Sequence, residues 1–231
     1  MTKKAITAAA AAMFSVLCSL AMKAQERPDI SVMGMYGWNE TWRNHFGADI
    51  TGFIPLSRNF EADAAMEVHS PKTFSATVTA RPKFPLGTGE IFIDASANYR
   101  LHGSYEIADL NLAASAGYRM EYVSAQVGII SHFTMDLEQR QNVTEPLNLL
   151  YRIAFNIRPS DSRWNAGGGV ANYTPFEYER TWEPMYFLHG LYKVNGNISA
   201  LLRCDLKPAG AFHLNAQFWG IAFRAGVDYK F

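Results

Sequence analysis

From residue 29 onward, apolar side chains recur at every second position rather than every third or fourth. Phe60, Ala62, Ala64, Met66 and Val68 alternate with Glu61, Asp63 and Glu67. Phe74, Ala76, Val78 and Ala80 alternate with Ser75, Thr77, Thr79 and Arg81. Ile91, Ile93, Ala95, Ala97, Tyr99 and Leu101 alternate with Asp94, Ser96, Asn98 and Arg100. The pattern returns in 110–118, 123–129, 149–157, 186–194 and 198–206. Successive side chains of a strand point to opposite faces, so a period of two predicts strands with one apolar and one polar face. Soluble sandwiches and barrels use such strands too, and alternation alone does not say which face meets solvent.

The first 24 residues stand apart. Lys3 and Lys4 precede a nearly uncharged apolar run from Ala5 to Leu20, followed by small residues around Ala21 and Ala24. That is the layout of a secretory signal peptide with cleavage after Ala21 or Ala24, leaving one β-domain over 25–231. Cys18 follows Leu17, where a lipoprotein signal needs a small residue, so lipid attachment is not indicated. The exported chain keeps one cysteine, Cys204, and so has no internal disulfide. Without Lys3, Lys4 and Lys23 it carries 18 basic against 21 acidic residues, which gives no electrostatic case for nucleic acid. No apolar run of about 18 residues follows the signal, so a transmembrane helix is not expected. There is no break or linker for a second domain.

Three features indicate where the apolar faces point. The alternating windows run to roughly 9–11 residues, the length of a tilted membrane-spanning strand and longer than the common strand of about 5–6. Aromatics collect near window ends: Tyr36, Trp38, Tyr99, Tyr118, Tyr122, Trp164, Tyr186, Tyr192, Trp219, Tyr229 and Phe231. Polar faces carry formal charges deep within the windows, among them Asp94, Arg152, Arg203, Asp205 and Arg224. These fit a wall whose apolar face meets lipid and whose polar face lines a wet lumen. Connections also sort by length. Short ones lie near 117–121, 159–163 and 195–197, and longer polar ones near 39–45, 131–146 and 172–184. Candidate strands lie near 29–38, 46–55, 59–68, 73–81, 90–101, 107–118, 121–130, 148–158, 164–173, 185–194, 198–206, 211–218 and 221–231. Bacterial barrels close with an even number, so the expectation is an all-β, antiparallel transmembrane barrel of about 12 strands, with 10 or 14 as alternatives.

The final stretch, "FRAGVDYKF", places Phe223, Ala225, Val227, Tyr229 and Phe231 at alternate positions up to the last residue. It resembles the C-terminal assembly signal of Gram-negative outer-membrane β-barrel proteins. The resemblance implies a last strand read by the barrel-assembly machinery and closed against the first strand. It also implies a location in the outer membrane, with lipid around the wall and both termini on the periplasmic side. It is a likeness of architecture and extends over 25–231 without selecting a functional subfamily.

The inward-facing charges are the first functional candidates: Glu61, Asp63, Glu67, Arg81, Asp94, Arg100, Asp109, Arg152, Arg158, Arg203, Asp205, Arg224 and Asp228. Their mixed signs fit a narrow polar pore of weak charge selectivity, or an ion-pair network that fills the lumen. A barrel of about 12 strands lies between filled barrels of about 8 and open porins of about 16.

Catalysis has little support. His45, His69, His102, His132, His189 and His213 show no metal-ligand spacing, and no cofactor motif occurs. "SHFT" (131–134) has a weak likeness to the His-x-Ser arrangement of outer-membrane lipid A deacylases, with Glu138 as a possible orienting acid. Thr134 stands where that family has its serine, so an enzyme is not the leading expectation. "AGGGV" (166–170) lacks the Lys-Ser/Thr of a phosphate loop and instead suits a bend or close packing of the wall. Tyr173, Phe176, Tyr178 and Trp182 make one long connection aromatic, either as an interaction surface or as a segment folded back over the barrel mouth. The leading function is a small porin-like pore for small polar solutes. The alternatives are a non-conducting structural or interaction barrel and, at lower weight, a lipid A-modifying hydrolase.

Overall fold

The structure is a computed structural model that describes residues 28–39, 43–70, 73–102, 106–136, 138, 142–158, 162–176, 183–208 and 220–231. Its strands are β1 (Asp29–Asn39), β2 (Arg43–Ser57), β3 (Phe60–His69), β4 (Thr73–Leu86), β5 (Gly89–His102), β6 (Ile107–Arg119) and β7 (Val123–Asp136). They continue with β8 (Asn142–Thr144), β9 (Asn148–Ile157), β10 (Trp164–Ala171), β11 (Met185–Lys193), β12 (Ile198–Lys207) and β13 (Gly220–Lys230). All pairings are antiparallel, and each strand except β8 is bonded on both sides. The sheet closes where β1 meets β13, from Asp29↔Lys230 to Asn39↔Gly220. Closure leaves no edge whose unpaired amides would face lipid.

The wall therefore has twelve strands, and β8 is an addition to it. β8 pairs with Phe133–Met135, on the same edge of β7 that β9 joins lower down at Val123–Ile130. Of the candidate windows, only 211–218 lies outside the described residues, as does the signal segment 1–24. Several strands outrun their windows. β2 begins at Arg43, which shortens the connection before it, and β7 continues through the "SHFT" stretch to Asp136. β4 passes Pro82 and Pro85 to Leu86. Pro82 offers no amide to the ladder, yet the register with β5 resumes unchanged from Ala80↔Ala95 to Lys83↔Phe92.

The outer wall is apolar. Val32, Ile50, Val68, Val78, Ile93, Leu112, Val127, Ile153, Leu188, Leu202 and Phe223 are exposed along its length. Tyr122, Trp164, Tyr229 and Phe231 are exposed near the short-turn end, and Tyr36, Phe46 and Tyr186 near the opposite end. Trp164 and Tyr192 sit as neighbours, with ring centroids 4.6 Å apart. Apolar sides between two aromatic girdles make this a wall solvated by lipid. The alternating residues of the last strand, Phe223, Ala225, Val227 and Tyr229, belong to that lipid face.

The glycine triplet lies in β10. A Cβ at Gly169 would come within 2.1 Å of the Ile153 carbonyl oxygen and 2.9 Å of the Phe187 ring. Glycine thus lets the β9 backbone and the Phe187 ring approach this strand closely, and the triplet serves close packing of the wall.

Candidate functional site: the lumen

The inner face gathers charge into two networks that run along the wall. In the first, Arg224 of β13 donates to Asp49 of β2 at 2.6 Å and to Glu67 of β3 at 2.7 Å, and also pairs with Asp205 of β12. Asp205 is shared with Arg203, whose Nε and Nη2 donate to it at 2.7–3.0 Å. In the second, Arg81 of β4 donates to Asp94 of β5 at 2.6 Å and pairs with Asp63 of β3 at 2.9 Å. Glu61 receives Lys83 and lies 3.4 Å from Arg119, which itself pairs with Glu90. Gln126 of β7 extends this network by donating to Asp94 at 2.8 Å and to Ser115 at 2.6 Å.

Both networks link strands within one side of the barrel, β12 through β3 and β3 through β7. A different element crosses the lumen. After β10 the chain turns inward at Asn172, whose side chain accepts from the Tyr151 amide at 2.9 Å and donates to the Leu149 carbonyl at 2.7 Å. The Tyr173 hydroxyl then donates to Gln126 at 2.7 Å. Phe176 reaches the far wall, where it is 2% exposed and packs with Met33, Ala65 and Leu201. Its carbonyl accepts from Ser75 and, at 3.3 Å, from Asn98, while its ring lies 5.1 Å beneath the Arg224 guanidinium. A chain of amides continues from there: Asn111 donates to Asn98 at 2.8 Å, and His132 Nδ1 donates to Asn111 at 2.6 Å. The Asn172 amide group, the Tyr173 hydroxyl and the Phe176 carbonyl are thereby matched on the wall, as burial of polar groups requires.

This settles how Tyr173 and Phe176 are used: they fold into the barrel. Tyr178 and Trp182 lie outside the described residues. Beside the segment is a cavity of about 380 Å³, lined by Asp29, Asp63, Arg81, Asp94, Arg152 and Arg203 together with Met33, Leu150, Leu201 and Phe176.

Of the charges expected inside, Glu61, Glu67, Asp94, Arg100, Asp109, Asp205 and Arg224 are buried, and Asp63, Arg81, Arg152, Arg203 and Asp228 are partly so. Asp228 accepts from Ser31 at 2.7 Å. Arg158 follows the last residue of β9 and is exposed. Sequence reasoning missed Asp49, which is wholly buried beneath Arg224, and the polar residues Asn98, Asn111 and Gln126. For Asn98, Asn111 and Gln126 the available signal was inward parity on their strands. Of the residues weighed for hydrolysis, Thr134 faces inward and donates to Asp109 at 2.9 Å, whereas Glu138 is exposed beyond the end of β7, its amide donating to Asp136 at 2.9 Å. His132 is 1% exposed, and its Nδ1 lies 2.6 Å from Asn111 Oδ1.

The fold and this polar interior define a class, the outer-membrane β-barrel with a charged lumen. No family model and no curated protein matches the sequence. Among solved structures, the chain is similar to the translocator domain of the autotransporter NalP from Neisseria meningitidis (TM-score 0.55, 16% identity, covering 99% of this chain and 98% of that one). It is similar also to the porin KdgM in complex with disordered oligogalacturonate (TM-score 0.56, 8% identity, covering 87% of this chain and 99% of that one). A third is the outer-membrane phospholipase A of Escherichia coli (TM-score 0.50, 9% identity, covering 86% and 89%). At these identities the likeness is one of fold.

Proposed function

We propose that the chain is a small porin-like pore for small polar solutes, with its short turns toward the periplasm and its constriction formed by 172–176. The observation that supports this reading is the course of the ion pairs. They run along the wall, joining adjacent strands or strands two to three apart on one side, and leave the lumen to be crossed by one connecting segment. A wall lined with paired charges of both signs offers a hydrated path of weak selectivity. A segment held by a few hydrogen bonds narrows that path without belonging to the sheet.

The second reading, a non-conducting structural barrel, draws on the same segment. Phe176 is anchored on the far wall by Ser75, Asn98 and Arg224, and a permanent anchor would close the lumen. Planar-bilayer conductance of the detergent-folded protein, its folding checked by a heat-dependent gel shift, separates the two. Discrete, reproducible current steps are expected. A folded protein without steps would establish the closed barrel.

A further inference from the structure

Arg152 stands apart from the other arginines of the cavity. Arg81 and Arg203 are each committed to carboxylates. Arg152 pairs with no carboxylate among the described residues. Its guanidinium lies 4.9 Å over the Phe187 ring, with Arg203 5.2 Å from the same ring. The Tyr173 hydroxyl takes one hydrogen bond from this guanidinium, and a cation held over an aromatic ring keeps its remaining in-plane N–H donors available. These donors are the fork that fits a carboxylate with two parallel hydrogen bonds. The surroundings are otherwise partly apolar, since Met33, Leu150, Leu201 and Phe176 line the same cavity. Its volume of about 380 Å³ lies within the usual range of roughly 300–1,000 Å³ for small-molecule sites.

We infer that this cavity binds a small organic carboxylate, with Arg152 holding the carboxylate and the apolar residues beneath 172–176 receiving its hydrocarbon part. The inference rests on the lumen being the path of a solute, and it names the class of that solute. The wall networks give the site its selectivity. Their arginines and lysine are already neutralised, so an anion without an apolar body gains little elsewhere in the lumen.

The test is isothermal titration of the folded, full-length exported chain in detergent with 4-methylpentanoate, its methyl ester as the uncharged comparison. The acid is expected to bind and the ester to bind at least about tenfold more weakly, as loss of a charge-assisted pair implies. Arg152→Met is expected to abolish the difference between acid and ester. Arg152→Lys keeps the charge but not the fork, and is expected to restore it only in part. Equal binding of acid and ester, no binding of either, or an unchanged difference in a heat-shift-competent Arg152→Met protein overturns the site. The readout needs no membrane. Binding without conductance would leave the site standing and remove the pore, and conductance without binding would do the reverse.

Discussion

Arg224 and Asp49 are 175 residues apart in sequence, and their side chains meet at 2.6 Å across β1, the strand that closes the barrel. Asp49 has no exposed surface, and the same guanidinium also serves Glu67 and Asp205. Three carboxylates thus converge on one cation at the seam between the two ends of the sheet, and of these Asp205 is held by Arg203 as well. Breaking a buried ion pair from one side leaves uncompensated charge and costs about 3–5 kcal/mol. Arg224→Leu is therefore expected to lower the urea midpoint of the detergent-folded barrel strongly. Arg224→Leu combined with Asp49→Asn is expected to recover part of that loss, because one orphaned charge is removed with its partner. An unchanged midpoint in the single variant would mean the seam is held by its backbone ladder alone.

The in-folded segment can be loosened without touching the wall. Phe176→Ala removes the ring that packs on Met33, Ala65 and Leu201 and lies under Arg224. Because the ladders of β10 and its neighbours are untouched, the variant is expected to keep the heat-dependent gel shift while its single-channel conductance rises roughly twofold or more, the constriction being what limits current. Bilayer recordings of both proteins check this. An identical conductance would place the narrowest point elsewhere.

How far the sequence reaches can be judged from these same residues. A strict period of two made the windows of β3, β4 and β5 readable, together with their inward charges Glu61, Arg81 and Asp94. Asp49 was hidden because Gly47 and Gly52 interrupt the alternation on β2, and a glycine carries no sign of which face it occupies. β8 is three residues long, too short for any period to show. The path of Tyr173 and Phe176 depends on long-range bonds to Gln126, Ser75 and Asn98, and nothing local in "NYTPF" encodes those partners. Periodicity thus reports the wall, while the occupant of the lumen is decided by tertiary contacts.

Gly169 offers a test of the wall itself. A Cβ there meets the Ile153 carbonyl and the Phe187 ring, and Phe187 is the surface on which Arg152 and Arg203 stack. Gly169→Val is expected to destabilise by about 1–3 kcal/mol, the usual range for overpacking. Urea unfolding measures that loss. The displaced ring should also weaken 4-methylpentanoate binding, whereas a valine in an outward position such as Ala225→Val should leave binding unchanged.

Ion selectivity follows from the composition of the two networks. The first sets Arg203 and Arg224 against Asp49, Glu67 and Asp205, and the second sets Arg81, Lys83 and Arg119 against Glu61, Asp63, Asp94 and Glu90. Carboxylates outnumber cations in each, so inorganic cations are expected to pass along these two networks slightly more readily than inorganic anions, Arg152 belonging to neither network. Asp63 is the acid to change, since its side chain is about a third exposed and it faces the cavity, while Arg81 keeps Asp94 if Asp63 is neutralised. Asp63→Asn is expected to move the reversal potential in a potassium chloride gradient toward zero, with little change in stability. Arg81→Gln removes a cation from the same place and is expected to move it the other way, at a larger cost in stability because Asp94 then keeps its hydrogen bond from Gln126 but is buried without its cation. A reversal potential that ignores both substitutions would show that permeating ions do not pass this wall.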